Sequence, residues 1–221
     1  MILLGGDLCE ETSKRYDILE YVDRTLNVSD MNTLWTVGNH DDANLEDVSK
    51  ITGRPITYSY HKNGITFVIL YSVYPLDDGQ IDLLTAVTDT ISESSHLIVK
   101  THNIISLAKH NELKEHRSSS TYNWACNYKA TDRGWMKKIL PQLRKVRKKG
   151  IDVIALAGDI GNNRTWFEER TEDGIYYLAS GNNPKRKDAK FLHFRHHVPS
   201  KSLTWDFINL EEYLANGQKI E

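Results

Sequence analysis

Short apolar runs alternate along this chain with segments whose apolar residues recur at every third or fourth position. The short runs are typical of buried β-strands, and the periodic segments are typical of amphipathic helices. We predict strands at residues 2–4, 34–37, 56–60, 65–71, 97–99, 151–157, 175–179 and 203–208. We predict helices over residues 13–26, around Ile81, Leu84, Val87 and Ile91, and around Trp135, Ile139, Leu143 and Val146.

This alternation of strands and helices predicts an α/β protein. Asn63-Gly64 between two β-rich runs indicates a hairpin, so a mixed sheet is expected. The continuous apolar run at 151–157 is typical of a strand covered on both faces. We therefore expect an α/β layered sandwich with mixed β-sheets flanked by helices, in one domain spanning residues 1–221. Residues 107–132 lack a pattern and predict a loop insertion, either a substrate-binding lid or plain surface.

The composition narrows the class of partners. The formal net charge is -2, so no global field attracts nucleic acid or an anionic membrane. No apolar stretch approaches the roughly 20 residues that span a bilayer, and the first residues lack a signal-peptide pattern. The two cysteines, Cys9 and Cys126, have no metal-type spacing and predict reduced thiols. We therefore expect a cytoplasmic protein.

Polar residues follow four of the predicted strands directly. Asp7 follows Gly5-Gly6, Asn39 and His40 follow Gly38, His102 lies in Thr101-His102-Asn103 where the strand at 97–99 ends, and Asp159 follows Gly158. The carboxyl ends of strands in an α/β sheet share one edge, where ligands bind. This set of oxygen and nitrogen donors suits manganese, iron or zinc. Each residue also has a structural explanation: Asp7 as a helix cap, His102 as a buried histidine, and Asp159 as a turn residue.

These motifs resemble those of the calcineurin-like metallophosphoesterases. The resemblance runs from residue 5 to about 182, and Gly38-Asn39-His40-Asp41 is its most specific part. It implies two layers of mixed sheet between helices, two metal ions at the strand ends, and hydrolysis of phosphomonoesters or phosphodiesters. It also implies that Asp7 bridges the metals, that Asn39 and His102 bind the second metal, and that His40 faces the substrate.

The chemistry implied by this resemblance is physically consistent. Metal-bound water becomes hydroxide near neutral pH and attacks phosphorus in line with the leaving group. His40 could protonate the leaving group, and Asp41 could orient the His40 ring or, equally, cap a helix. Asn182 and the basic loop around Arg186 lie where the resemblance places the rim of the site, so both are candidates for binding the phosphate ester. An exposed turn explains that loop equally well.

Two departures from the family pattern affect the first metal. No Asp-x-His occurs in the chain, and Gly158-Asp159-Ile160-Gly161 stands where the family has Gly-His-x-His. Asp159 could replace the first histidine, so one metal ion is expected, and two only if another residue completes the first site. The cluster of His193, His196 and His197 is a candidate, although alternation along a strand also explains it. We expect either a chain that lacks its first strand or a degenerate member.

The sequence leaves functional alternatives open. A catalytically degenerate version of the same fold would act as a protein-binding module. Nucleotide binding in a Rossmann-type sheet is disfavoured, because no Gly-x-Gly-x-x-Gly follows the first strand. The basic residues at 144–149 resemble a nucleic-acid patch, but cations in the last turn of a helix complement its dipole. They are thus no strong signal for nucleic acid.

Overall fold

The computed structural model describes residues 1–10, 12, 14–116, 134–160, 164–181 and 186–217. Within these residues the chain forms ten strands and five α-helices. The strands are β1 (Ile2–Leu4), β2 (Thr33–Trp35), β3 (Tyr58–Lys62), β4 (Ile65–Ile69), β5 (His96–Asn103), β6 (Asp152–Asp159), β7 (Trp166–Arg170), β8 (Tyr176–Ser180), β9 (Lys190–His197) and β10 (Ser202–Asn209). The helices are α1 (Tyr16–Leu26), α2 (Leu45–Thr52), α3 (Asp78–Thr90), α4 (Leu140–Lys148) and α5 (Leu210–Ala215).

Six strands form a central sheet with the order β3-β4-β5-β6-β8-β7. The four inner strands are parallel, and an antiparallel strand borders them on each side. The hairpin of β3 and β4 turns at Asn63-Gly64, where both residues have positive φ. The expected mixed sheet and the expected hairpin are therefore confirmed.

Two smaller sheets cover one face of the central sheet. β1 pairs with β2 in parallel, and β9 pairs with β10 antiparallel. Leu34 of β2 and Phe194 of β9 join the same apolar cluster as Ile98 and Ile154 of the central sheet. Helices α1 and α2 pack outside β1 and β2, while α3 and α4 cover the opposite face of the central sheet. The layers therefore follow the order helix, sheet, sheet, helix.

The central strands are buried on both faces. In β6, Val153 and Ala155 face α3 and α4, whereas Ile154 and Leu156 face the small sheets. A strand that is covered on both faces needs apolar side chains on both, so successive residues of β6 are all apolar. This sequence prediction is confirmed.

Some predicted boundaries differ from the structure. Helix α1 begins at Tyr16 because Arg15 is extended, with a φ of −135°. The helix predicted around Trp135 starts as a π-helical turn, Trp135–Ile139, and continues as α4. Of the predicted insertion at 107–132, residues 111–116 form a 3-10 turn and 117–132 lie outside the described residues. Among the described helices, none has the length and apolar character needed to cross a bilayer.

Candidate active site

Three polar side chains at the strand ends surround one nitrogen atom of a buried histidine. His102, near the end of β5, places its Nε2 atom 3.3 Å from Asn39 Oδ1 and 3.4 Å from Asp7 Oδ2. Asp159, the last residue of β6, has its Oδ2 atom 4.0 Å from the same nitrogen. Asp7 and Asn39 belong to the loops that follow β1 and β2. The structure thus brings together the four residues that the sequence predicts as metal ligands.

Glycine at two loop positions permits this close approach. Gly6 has a φ of +93°, and a Cβ at this position would lie 2.5 Å from His102 Nδ1. A Cβ at Gly38 would overlap the Asp7 carboxylate. Because any larger residue needs that space, glycine is required for the two loops to lie against His102.

The proton position on His102 is set by the backbone. Its Nδ1 atom lies 2.6 Å from the Gly5 carbonyl oxygen, which can only accept, so Nδ1 donates. The other ring nitrogen, Nε2, faces Asp7 and Asn39. Burial lowers the pKa of His102, but the hydrogen bond and charge of Asp7, aided by Asp159, outweigh burial and raise the pKa overall. A histidine held this way by a carbonyl has the orientation typical of a metal ligand.

Asp7 is held in a left-handed conformation, with a φ of 54°. Its Oδ1 atom accepts a hydrogen bond from the His40 backbone amide at 2.9 Å, and its Oδ2 atom faces His102. Burial raises the pKa of Asp7, but the hydrogen bond and charge of His102 and the bond from His40 outweigh burial and lower it. Asp7 is therefore ionised near neutral pH, as a metal-binding carboxylate must be.

His40 lies at the exposed rim of the site. Its Nδ1 atom is 3.2 Å from the carbonyl oxygen of Glu10, so Nδ1 carries the proton in this contact. Nε2 is the ring atom directed to other partners. Asp41 was one candidate for orienting the His40 ring, but the ring contacts a backbone carbonyl instead.

Asp41 is fully buried and is occupied by backbone amides. Its Oδ2 atom accepts from Asp7 N at 2.6 Å and Gly38 N at 2.9 Å, and its Oδ1 atom accepts from Leu8 N at 3.2 Å. Burial raises the pKa of Asp41, although the hydrogen bonds from the Gly38 and Asp7 amides oppose this. The expectation that Asp41 orients the His40 ring is wrong, because its oxygens are engaged elsewhere. Its side chain makes no helix-capping bond either.

Asn103 belongs to the site, although the sequence analysis gave it no role. It is buried, pairs with Asp159 across the parallel strands, and directs Nδ2 to Asp159 Oδ2 at 3.5 Å. Its backbone amide donates to Ser72 Oγ at 3.0 Å. The signal available in the sequence was its position beside His102 at a strand end.

Only one of the two predicted substrate-binding residues, Arg186, lies within the described part of the chain. Asn182 lies outside the described residues. Arg186 forms a two-pronged ion pair with Asp188, with both N–O distances at 2.8 Å. Together with Arg164 and Trp166 it lines a cavity of about 330 Å³ beside β7. The charge of Arg186 is therefore already balanced within its own loop.

The histidine cluster of β9 lies away from these four ligands. The ring of His196 packs edge-on against His96, with centroids 6.2 Å apart. His96 begins β5 and lies six positions before His102, which is about 20 Å along a strand. His196 therefore does not supply the missing ligands of the first metal. Elsewhere in β9 the side chains alternate as predicted. His193 and Arg195 share one face, where Arg195 Nη1 lies 3.4 Å from His193 Nδ1.

The basic residues at 144–149 are engaged by acidic and carbonyl groups. Arg144 pairs with Asp173, Lys145 with Asp89, and Arg147 with Asp152. Lys149 Nζ donates to the carbonyl oxygens of Thr88, Asp89 and Ile91 at 2.9–3.1 Å. The contacts of Lys145 and Lys149 tie α4 to the end of α3, and the basic residues are thus accounted for as a helix end.

A ready-made metal site is not present in the described part of the chain. Within it, no group of three or more His, Cys, Asp or Glu side chains has an arrangement that could hold a metal ion as it stands. The donors around His102 are instead linked to one another by hydrogen bonds. A cation would have to replace these contacts.

The chain was compared with family models, with curated proteins and with solved structures, and none of them matches it. The resemblance to a family therefore stays a prediction based on the strand-end motifs.

Proposed function

We propose that this chain is a metal-dependent hydrolase of phosphomonoesters or phosphodiesters. The observation that carries the proposal is the meeting of Asp7, Asn39 and Asp159 around His102 Nε2, at 3.3–4.0 Å. These residues lie at strand ends, where α/β folds bind their ligands. The motifs resemble those of the calcineurin-like metallophosphoesterases, and we propose their layered sandwich as the finer description of this fold.

The types of donor suit a divalent cation such as manganese, iron or zinc. They comprise one imidazole nitrogen, two carboxylates and one amide oxygen. Because these groups do not form a metal-holding arrangement as they stand, a cation would bind by displacing the contacts of His102 Nε2 with Asn39 and Asp7. We expect one ion, because the residues that the resemblance assigns to the first metal are absent from the sequence.

When bound, the cation supplies Lewis acidity to a phosphoryl oxygen and lowers the pKa of water. The protein supplies position and proton transfer. His40 Nε2 is the ring atom that can exchange a proton with the substrate, because Nδ1 is held by the Glu10 carbonyl. Cys9 is a free thiol, so we propose a reducing, cytoplasmic setting for this chemistry.

The first test is the manganese content of the parent protein after reconstitution and dialysis, together with hydrolysis of aryl phosphate monoesters and diesters. Asn39→Ala and His102→Ala remove one ligand each and are expected to weaken manganese binding at least about tenfold. His40→Ala is expected to retain the metal and to lose roughly a hundredfold in rate.

The matched control for these substitutions is His61→Ala. His61 lies on β3 at the opposite edge of the sheet, where it contacts Thr66 and Ser94. It is expected to bind manganese and to hydrolyse both substrates like the parent. If the parent takes up no manganese, or if Asn39→Ala hydrolyses as fast as the parent, the proposal fails.

A second candidate is a protein-binding module without catalysis. It is favoured by the hydrogen bonds that already satisfy the donors around His102 and by the missing ligands of the first metal. The same manganese measurement separates the two candidates. A metal-free parent supports the binding module, and a parent with one or two equivalents supports the enzyme.

A further inference from the structure

Asp41 is the most buried carboxylate near the site, and its contacts cross from one loop to another. It lies in the loop after β2, but it accepts the backbone amides of Asp7 and Leu8 in the loop after β1. It also accepts the amide of Gly38 in its own loop. Three backbone donors on one buried carboxylate are the kind of arrangement that makes burial of the group tolerable.

The link between the loops is reciprocal. Asp41 accepts the amide of Asp7, and Asp7 accepts the amide of His40, which directly precedes Asp41. This pair of bonds closes a ring across the two loops. Each carboxylate holds the backbone that carries the other one.

This ring determines which way the Asp7 side chain points. Asp7 has a positive φ of 54°, an uncommon conformation that aspartate tolerates better than most residues with a Cβ and that local hydrogen bonds stabilise. Because Oδ1 is taken by the His40 amide, Oδ2 is the oxygen left to face His102 Nε2 at 3.4 Å. Without the bond from Asp41, the Asp7 backbone is free to relax to a negative φ and turn Oδ2 away.

We propose that Asp41 is a positioning residue that sets the metal affinity of the site by fixing the backbone of Asp7 between the two loops. The inference rests on the proposed function, since it concerns the same metal. It differs from the usual expectation for an acid beside a histidine, because Asp41 acts through the backbone and leaves the His40 ring to the Glu10 carbonyl.

The test substitutes Asp41→Asn, which keeps the shape and replaces an acceptor oxygen by an NH₂ group facing backbone donors. The matched control is Asp42→Asn, because Asp42 is the next residue and bonds the Tyr71 hydroxyl at 3.2 Å. Three quantities are measured: amide hydrogen exchange at residues 7, 8 and 38, manganese affinity by calorimetry, and the visible spectrum of the cobalt-loaded protein.

We expect Asp41→Asn to speed exchange at these amides at least about tenfold, to weaken manganese binding at least about tenfold, and to shift the cobalt bands. Asp42→Asn is expected to match the parent in all three. Faster exchange with unchanged manganese affinity and cobalt spectrum would overturn the inference. If Asp41→Asn does not fold, Asp41→Glu moves the carboxylate away from the three backbone amides and is expected to change all three quantities in the same direction. No change in Asp41→Glu would overturn the inference.

Failure of the proposed function gives a different result. A parent that binds neither manganese nor cobalt overturns both the function and this inference, although the exchange measurement would still report the link between the loops. A parent that binds manganese with the same affinity as Asp41→Asn overturns the inference alone.

Discussion

Lys100 is a fully buried lysine in the middle of β5. It shares a face of the strand with Ile98 and His102, by the alternation of side chains, and is 2% exposed. Burial alone lowers its pKa from 10.5 to about 7. A charge in this position opposes folding.

Replacing this lysine by methionine is expected to stabilise the protein. Between pH 7 and 10.5 the unfolded chain binds more protons than the folded one, so the stability of the parent rises with pH in this window. Lys100→Met is expected to add about 4 kcal/mol at pH 7, at about 1.4 kcal/mol for each unit of pKa, and to remove the rise. Denaturant unfolding at pH 7 and pH 10 measures both.

Lys148→Met, at an exposed position of α4, is the control and is expected to leave the stability within about 0.5 kcal/mol of the parent. A parent whose stability is flat from pH 7 to 10 would show that the ammonium of Lys100 has a partner.

Site residues that directly follow a glycine at the end of a strand could be predicted from the sequence. The role of a residue whose side chain binds backbone amides of another loop could not. Asp7, Asn39 and Asp159 could be assigned because parallel strand ends meet at one edge. The role of Asp41 could not, because no local pattern states which amides from another loop will face a carboxylate. Asn103 was missed for a similar reason, since its partner lies 56 residues away.

The hairpin of β9 and β10 is joined to the central sheet by aromatic and histidine contacts. Trp205 packs on Tyr176 with centroids 4.9 Å apart and donates to Glu168. His196 packs on His96. Burial lowers the pKa of His96, and the charges of His196 and Arg147 add to this, while Asp152 opposes it.

Acid is expected to weaken this element. The folded pKa of His96 lies below its ordinary value of 6.5, so the unfolded chain binds more protons and stability falls as pH drops below 6.5. His96→Gln is expected to flatten this dependence between pH 5 and 7, measured by denaturant unfolding. His197→Gln, which changes an exposed histidine at the end of β9 that contacts Ser200, is expected to keep the slope of the parent. Equal slopes in all three proteins would contradict the assignment.

Element prediction was most accurate where a segment is buried on both faces or has a long helical period. β5, β6 and α3 were recognised for this reason. Helix α2, helix α5 and strand β7 were not predicted, because short elements depend on neighbours rather than on their own pattern. Strand β7, for example, alternates exposed and buried residues and lies at the edge of the sheet.

At the scale of the whole molecule, the two sheet layers touch where Gly5 lies against Gly158. A Cβ on Gly5 would lie 2.8 Å from the Gly158 Cα atom, and a Cβ on Gly158 would overlap the Gly5 carbonyl. The same carbonyl accepts the bond from His102 Nδ1. The spacing of the layers therefore determines the geometry of the site.

Gly158→Ala is expected to separate the layers at this contact. It should lower the free energy of unfolding by about 1–3 kcal/mol, as overpacking does, and weaken manganese binding. Gly79→Ala provides a control with the opposite sign. Gly79 lies in helix α3, where a Cβ meets only Asp77 at 3.4 Å, so alanine should stabilise by about 0.5–1 kcal/mol. If both variants change stability in the same direction, the packing argument is wrong.

The bond between His102 and Gly5 also has a consequence for the order of folding. It joins residues 97 positions apart, and Asp159 lies further still along the chain. Closing such long loops is slow compared with forming helices or hairpins. During synthesis, the loops after β1 and β2 leave the ribosome first. His102 and Asp159, which complete the site, follow much later because they lie further along the chain. Metal capture is expected to come late, as a final step after the central sheet has formed.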